Sequence, residues 1–472
     1  MESDPTQRGK RLAIAAPRGH AKTTFLVHFK AVHAIVYGYE QFILILGHSA
    51  PEAESKVRAI LEELENNPLL KAVYGPLAPK KGQLGWSTKN FVTQNKIRVM
   101  AKSRGKQVRG LKHETHRPSL IILDDIEAAD KVWTDEQRYK TKQWFEKDVL
   151  KLGSVDGKAN IIVIGTCLQQ EALLPDLLKA PGWHGVKYQA VLSFAHNQSL
   201  WKKWEAIYLD LSNPDREADA NRFYQRHENE MLEGTSVLWP EAEPYDLLMK
   251  LILVEGQASF QSEKQNDPYD PTRQVFNMDE AKRFKVEYTP EGEIHKLVWS
   301  DGSGRFIWAS DIYKIVAFHD PALCEGKDAD YAAIVVCAID TKGYMYCLEA
   351  YIEKVPPSRQ IQQAFFMYEK WKWDVLYLEE NNFQGILKEN YHAMQEANAR
   401  MPVIGVKQTQ NKVKRIASLE PLVTNGQLLF NADLNPRLIS QLRLFPTTHD
   451  DGPDALRGAL DKFIPKARYL GR

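Results

Sequence analysis

The chain has little cysteine: four residues in 472 (Cys167, Cys324, Cys337 and Cys347), with no C-x-x-C pair. That argues against a zinc ribbon or a disulfide scaffold and fits a reducing compartment. No apolar run reaches about 18 residues, so no membrane-spanning helix is expected. The opening "MESDPTQRGK" lacks the apolar core of a signal peptide. A strong excess of one charge is also missing. The net charge of +1 makes no case for nucleic acid by itself. Its distribution says more. Between Asn95 and Arg117, eight Lys and Arg residues stand against one acid, Glu114. Such a run is either a solvated face or a surface for phosphates, those of DNA or of a neighbour's nucleotide.

What is present is repeated strand–helix alternation, in a length that allows two or three domains at about 150 residues each. "RLAIAA", "QFILILGHS", "SLIILDDIE" and "KANIIVIGTCLQ" read as apolar strands, separated by helical stretches such as "KTTFLVHFKAVHAIVYG" and "PEAESKVRAILEELENN". Apolar strands alternating with helices imply a parallel sheet covered on both faces. Residues 182–300 are less regular. "WKKWEAIYLDLSNPDREADANRFYQRHENEMLEG" reads as helical and exposed, and a Pro/Asp/Asn-rich exit follows. From "DIYKIVAFHDPA" a second α/β pattern begins, with two strands around a Lys342-Gly343 turn. The expected division is 1–180, an α/β core; 181–255, a lid; 256–305, a linker; and 306–472, a second α/β domain.

The loop after the first strand, "AAPRGHAKTT", has the form of a phosphate-binding loop, G-x-x-x-x-G-K-[ST], with alanine at both glycine positions, Ala16 and Ala21. Alanine serves wherever the backbone does not require positive φ, and Gly19 still supplies one unrestricted position. Arg18, Gly19, His20, Ala21, Lys22, Thr23 and Thr24 are the candidate phosphate contacts. Lys22 would neutralise phosphate charge and the Thr23 hydroxyl would bind Mg²⁺. "LIILDDIE" ends in acids that suit Mg²⁺ organisation (Asp124) and orientation of a water (Asp125 or Glu127). Thr166, at the end of the next strand, is placed to sense a γ-phosphate. Arg18, inside the loop, can stabilise charge developing on a transferred phosphoryl group.

A second constellation lies downstream. Asp320 ends "KIVAFHD", Glu379 and Glu380 end "VLYLEE", and Asp450, Asp451 and Asp454 lie in "HDDGPDAL". Acids from two strand ends and a helix start can converge at one sheet edge, as two Mg²⁺ or Mn²⁺ ions about 4 Å apart require. Lys407, Lys412, Lys414 and Arg415 lie between them and suit a phosphodiester substrate.

Taken in order, "APRGHAKTT", "LIILDDIE", "IGT", "SFQSEKQNDP", "EENNFQ", "VKR" and "HDDGPDAL" make the chain resemble phage large terminase subunits, the motors of viral DNA packaging, over nearly its whole length. The resemblance implies an N-terminal P-loop ATPase of the additional-strand type with a mostly parallel sheet, then a C-terminal RNase H-like α/β nuclease. It implies ATP and Mg²⁺ on Lys22, Thr23 and Asp124, a cis arginine at Arg18, and a trans arginine among Arg104, Arg109 and Arg117. The family's catalytic Glu directly follows the Mg²⁺-organising Asp. Here that position is Asp125, with Glu127 as rival. The implied nuclease acids are Asp320, Glu379 and Asp451, with Asp450 and Asp454 as extra ligands and Mn²⁺ as an alternative ion. Glu379 is preferred to Glu380 by the spacing E-x-N-x-F-Q, carried by Asn381, Phe383 and Gln384. Implied partners are double-stranded DNA, the portal protein, the small terminase subunit and further copies in a homo-oligomeric ring, a pentamer. The ring would dock transiently on the procapsid in the host cytoplasm, with no membrane involved. Family members carry some tens of residues ahead of the loop that contact adenine. About fifteen precede it here, so a shortened start is expected and base recognition is unassigned. Two competing readings are a helicase-nuclease of DNA repair, which would need a second motor domain, and a DNA-binding assembly protein with both sites degenerate.

Overall fold

The computed structural model describes residues 8–79, 87, 89–105, 108, 110–127, 135–268, 275–322, 330–379, 391, 401–408, 412–446 and 449–463. The chain divides into two compact units. One comprises Met1–Phe194, Gly234–Ile252 and Gln257–Asp270; the other comprises Ala195–Glu233, Leu253–Gly256 and Pro271–Arg472. Among the described residues, no helix is long and apolar enough to cross a membrane.

The first unit runs β1 (Arg11–Ala15), α1 (Lys30–Tyr37), β2 (Phe42–Gly47), α2 (Ala50–Asn66), α3 (Pro68–Tyr74), β3 (Asn90–Val92), β4 (Arg98–Ser103), β5 (Leu120–Asp124), α4 (Asp135–Lys147), β6 (Asn160–Gly165), α5 (Leu173–Lys179) and β7 (His184–Lys187). The strands form one sheet in the order β3-β4-β2-β5-β6-β1-β7. All pairs are parallel except β3 with β4. Both faces are covered, which is why the strands read as unbroken apolar runs. Ala13, Leu44, Ile121 and Val163 pack towards Phe145 and Leu173 on one side. Ile43, Ile45, Ile122 and Ile164 pack towards Ile35, Val57 and Ile60 on the other.

The decisive strand is β6. It lies between β1 and β5, with Ala15 opposite Gly165 and Ile164 opposite Asp124. This is the additional-strand arrangement. The loop after β1, the acids after β5 and Thr166 after β6 therefore share one sheet edge, at the carboxyl ends of parallel strands.

A short ribbon, β8 (Val191–Ser193) with β9 (Ser236–Val237), follows. The stretch read as one exposed helical region is two helices, α6 (Gln198–Tyr208) and α7 (Arg216–Leu232). The break is chemical. Asp210 accepts from Ser212 N at 3.0 Å and Asn213 from Asp215 N at 2.9 Å, turn bonds that compete with helix. Then come α8 (Tyr245–Glu255) and α9 (Gln257–Glu263).

The second unit contains a nine-stranded sheet in the order β12-β11-β10-β18-β15-β14-β13-β16-β17. Its elements are β10 (Arg283–Tyr288), β11 (Ile294–Trp299), β12 (Phe306–Trp308), β13 (Ile312–Asp320), β14 (Ala332–Asp340), β15 (Met345–Glu353), α10 (Pro357–Trp371), β16 (Val375–Glu379), β17 (Val403–Val406), α11 (Lys412–Ala417), α12 (Glu420–Thr424), β18 (Leu428–Asn431), α13 (Pro436–Leu444) and α14 (Asp451–Leu460). Much of the expected linker, 256–305, is thus regular structure. It holds α9 and the antiparallel pair β10–β11, which β18 joins to the sheet. Phe284 and Trp299 are buried there, while charged residues on the outer face hide the alternation.

Helix α14 lies against β13 and β14 at a glycine. A Cβ on Gly458 would sit 2.6 Å from the Phe318 ring, which is itself fully buried. Alanine in a helix is ordinarily favoured over glycine by about 1 kcal/mol. Here the overlap should reverse that sign, because overpacking a filled core costs about 1–3 kcal/mol. Gly458→Ala is expected to destabilise the second unit, read as a lower urea midpoint with an unchanged m-value. A midpoint at or above wild type would refute this packing.

Candidate active sites

In the first unit β1 delivers the chain into the loop, with Ala16 N donating to Gly165 O at 3.1 Å. Gly19 has φ +88° and Ala21 has φ +51°. The expectation that alanine replaces glycine only where positive φ is not needed therefore fails at Ala21. The left-handed turn there costs an L-residue about 1–2 kcal/mol. It places Lys22 and Thr23 at the start of the helix, whose first turn, Thr24–Phe29, is π-helical. Thr24 faces solvent.

Lys22 Nζ donates to Thr166 Oγ1 at 3.1 Å and lies 3.8 Å from Asp125 Oδ2. Thr23 Oγ1 donates to Asp124 Oδ2 at 2.9 Å. Asp124 is fully buried, and its Oδ1 has no hydrogen-bond partner among the described residues. A buried, unsatisfied carboxylate oxygen beside a threonine hydroxyl fits a magnesium site. Burial raises the Asp125 pKa, and Lys22 pulls it part of the way back. Glu127 is turned to other work. Its two oxygens accept from Leu173 N (2.9 Å) and Leu174 N (3.2 Å), capping α5.

Of the candidate trans arginines, Arg104 donates to Gln137 O at 3.4 Å and burial lowers its pKa. Arg117 is exposed, and Arg109 lies outside the described residues. The basic run is partly structural: Arg98 lies over the Phe42 ring and donates to Lys112 O at 2.6 Å. Arg18 pairs with Glu263, its Nη1 lying 2.9 and 2.8 Å from the two carboxylate oxygens. The His20 side chain, 5% exposed, lies 3.8 Å from Glu243, and burial lowers its pKa.

Lys56 was not anticipated. Projecting from α2, its Nζ lies 2.8 Å from Asp124 Oδ2 and 2.5 Å from Glu52 Oε1. Burial works against its charge, but Asp124 and Glu52 outweigh that and hold its pKa above the usual lysine value. Its i,i+4 spacing from Glu52 is the pattern of a surface pair, so sequence alone gives no sign of the long-range partner.

In the second unit β13 and β16 run parallel, with His319 opposite Leu378, so Asp320 and Glu379 end neighbouring strands. Helix α14 begins at Asp451. Carboxylate oxygens of Asp320, Glu379 and Asp454 lie within 4.8 Å of one another, while Asp451 groups in the same way with Asp330 and His449. Asp454, expected as an extra ligand, thus stands with the two strand-end acids. Asp451 lies alongside, accepting from Tyr331 N at 3.2 Å. Burial and then the Glu379 charge push the Asp320 pKa well above the carboxylate range. Burial raises Asp454 to about 6, against the pull of Arg415 and Lys412. Clustered hard oxygens that repel one another fit divalent cations. Glu380 and the following Asn381, Phe383 and Gln384 lie outside the described residues.

Two residues expected to meet substrate pair with the acids instead. Arg415 is 4% exposed and bonds Asp454. Lys412 Nζ lies 2.7 Å from Asp450, 3.3 Å from Asp451 and 3.8 Å from Asp454. The reason is Coulombic: buried carboxylates draw the nearest cations. Lys407 and Lys414 are exposed. His319, also unanticipated, is fully buried between Tyr391 Oη (2.9 Å) and Gln360 Oε1 (3.1 Å), anchoring the strand beside Asp320. Burial lowers its pKa to about 4.

Residues 319–463 match the family model for the terminase RNaseH-like domain. No curated protein matches the sequence. Among solved structures, the large terminase of a thermophilic bacteriophage matches with 8% identity over 98% of this chain and 96% of its own, at a TM-score of 0.50. The same phage's large terminase in complex with ADP matches with 9% identity over 100% and 96%, at 0.47. The large terminase nuclease of a second thermophilic phage, G20c, with bound zinc matches with 20% identity over 40% and 98%, at 0.28. The second unit thus contains a terminase RNase H-like domain, and the chain has the fold of a phage large terminase. The family match and the fold support the large terminase subunit that the motifs indicate.

The pH dependence of the acid cluster follows from Asp454. Its folded pKa of about 6 lies above an unfolded value of about 3.9. Its contribution to metal-free stability is therefore full below about pH 4 and lost as pH rises through 6. Metal competes with that proton. Calorimetric Mn²⁺ titration should show affinity rising about fourfold from pH 5.5 to 7.5. Asp454→Asn should flatten the rise. A wild-type affinity independent of pH would refute the assignment.

Proposed function

We propose that the chain is a phage large terminase subunit that hydrolyses ATP to drive double-stranded DNA into a procapsid and cuts concatemeric DNA with its metal-dependent nuclease. The observation that carries this reading is the pairing of Lys22 with Thr166 and of Thr23 with Asp124 at one sheet edge, in a chain that also gathers Asp320, Glu379 and Asp454.

In the first site Lys22 binds the terminal phosphates and Thr23 with Asp124 holds Mg²⁺. Asp125, rather than Glu127, orients the attacking water, because capping α5 occupies Glu127. Arg18 meets the charge that develops on the γ-phosphate. Thr166, bonded to Lys22, registers phosphate loss at the end of β6. In the second site Asp320, Glu379 and Asp454 hold Mg²⁺ or Mn²⁺, with Asp451 and Asp450 beside them. Ions held there would supply activation of water and stabilisation of the leaving oxygen of the phosphodiester. Arg415 and Lys412 fix the acids, and the exposed Lys407 and Lys414 meet DNA. A portal protein, a small terminase subunit and further copies in a ring complete the machine, docked transiently on the procapsid in the host cytoplasm.

ATPase and plasmid cleavage, assayed with Mg²⁺ and with Mn²⁺, test the reading. Lys22→Ala should lower ATP hydrolysis about a hundredfold or more while cutting persists, and Asp320→Ala should do the reverse. Survival of both activities in both variants would overturn the site assignments. Wild type inactive in both assays would favour an assembly protein with degenerate sites.

A further inference from the structure

Along one edge of the second sheet the acids stand between two sets of cations. Asp320 ends β13 and Glu379 ends β16, with Val406 of β17 opposite Glu379 and Lys407 directly after it. On the other side, Ala333 of β14 pairs with Asp320, and Ala332 pairs with Glu353 at the end of β15. Lys354 follows. The order along the edge is therefore Lys354, Tyr331, Asp320, Glu379, Lys407. At about 4.8 Å per strand the strip is about 19 Å wide, and the backbones of Lys354 and Asp320 are two strands, about 10 Å, apart.

Tyr331 gathers the cations on the β15 side. Lys354 Nζ lies 4.8 Å from the centre of its ring and the Arg437 guanidinium carbon 5.6 Å. The His449 ring packs edge-on against it with centroids 4.9 Å apart, and Tyr331 N donates to Asp451 Oδ2 at 3.2 Å. Arg437, in the first turn of α13, donates to Ile352 O at 2.8 Å and bonds Glu353. Lys354 is exposed, and among the described residues it has no ion pair. The metal-site acids account for neither cation, because Lys412 and Arg415 are the ones that pair with Asp450, Asp451 and Asp454. Two like charges against one ring repel each other, and Glu353 offsets only one of them. The arrangement fits an anion that arrives from outside.

We propose that Lys354 and Arg437, set by Tyr331, form a subsite for a DNA backbone phosphate flanking the one that is cut. The inference rests on the reading of the acid cluster as a nuclease site. A DNA strand carries a phosphate about every 3.4 Å of helix axis. A duplex whose scissile phosphate lies on the acids therefore brings neighbouring phosphates along the strip in both directions. Lys407 meets them on the β17 side, and Lys354 with Arg437 on the β15 side. Arginine takes phosphate through paired N–H bonds and lysine as a point charge. Such contacts fix register and carry no sequence information. The acids themselves repel the backbone, and cations at both flanks hold the duplex against that repulsion. Tyr331 is the positioning residue. Its ring holds Lys354 by a cation–π contact, and its N–H ties that ring to Asp451.

The test uses the full chain with Mg²⁺, an Asp320→Ala background to prevent cutting, and a fluorescent DNA duplex titrated over a salt series. Lys354→Ala and Arg437→Ala should each weaken binding about three- to tenfold and lower the slope of log affinity against log salt by about one. The loss should be the same on unrelated sequences. Lys354→Arg should keep both affinity and slope. Tyr331→Phe should bind like its parent, while Tyr331→Leu weakens binding with an unchanged slope, because both cations remain. With Asp320 intact, Lys354→Ala should leave calorimetric Mn²⁺ affinity within about twofold of wild type, because exposed charges two strands away are screened. Unchanged slopes in both alanine variants, a loss confined to one sequence, or a Mn²⁺ affinity that falls with the DNA affinity would overturn the subsite. The cations would then serve the acids or the fold. Should Arg437→Ala fail to fold, the exposed Lys354 decides alone. Plasmid cleavage separates the two layers. If Asp320→Ala cuts as wild type does, the nuclease reading falls and the flanking subsite with it. If Asp320→Ala abolishes cutting and the slopes do not change, only the subsite falls.

Discussion

Asp124 is a fully buried carboxylate, and the first unit is arranged around the need to compensate it. An ion of that size without a partner in a low-dielectric interior costs several kcal/mol. Thr23 reaches it from the loop and Lys56 from α2. Those two contacts bring three separate pieces of chain to one point. With β6 between β1 and β5, Thr166 at its end bonds Lys22 beside these acids.

The second unit meets the same problem with the same device. Asp450, Asp451 and Asp454 receive Lys412, and Asp454 receives Arg415, both from α11. In each unit a cation on a neighbouring helix stands with the acids. The two differ in exposure. The Lys56 side chain is 12% exposed and that of Lys412 is 37% exposed. Lys56 stands between two carboxylates and Lys412 among three.

Much of this was legible in the sequence because it is local. Strands buried on both faces announce themselves as apolar runs, and acids at strand ends or at a helix start mark one sheet edge. What was not legible depends on contacts between residues far apart in the chain. Lys56 looks like half of a helical surface pair, and only the fold places it on Asp124. His319 reads as an ordinary strand residue until Tyr391 and Gln360 close over it. Helix periodicity puts Asp451 and Asp454 on one face, three residues apart. Which of them joins Asp320 depends on how α14 is rotated, and Gly458 against Phe318 sets that rotation. The β10–β11 pair was hidden because one face of it is charged.

Ala21 connects loop chemistry to stability. Glycine would adopt its left-handed backbone without strain, yet the chain keeps alanine there. The strain persists because both sides of the loop are fixed. Lys264 holds the carbonyl of Arg18 on one side, and Thr23 bonds Asp124 on the other. Glycine at position 21 would relieve the strain but widen the conformations open to the unfolded chain, two effects of similar size and opposite sign. Stability therefore gives little reason to prefer either residue. What alanine adds is stiffness between Arg18 and Lys22, the two cations of the loop.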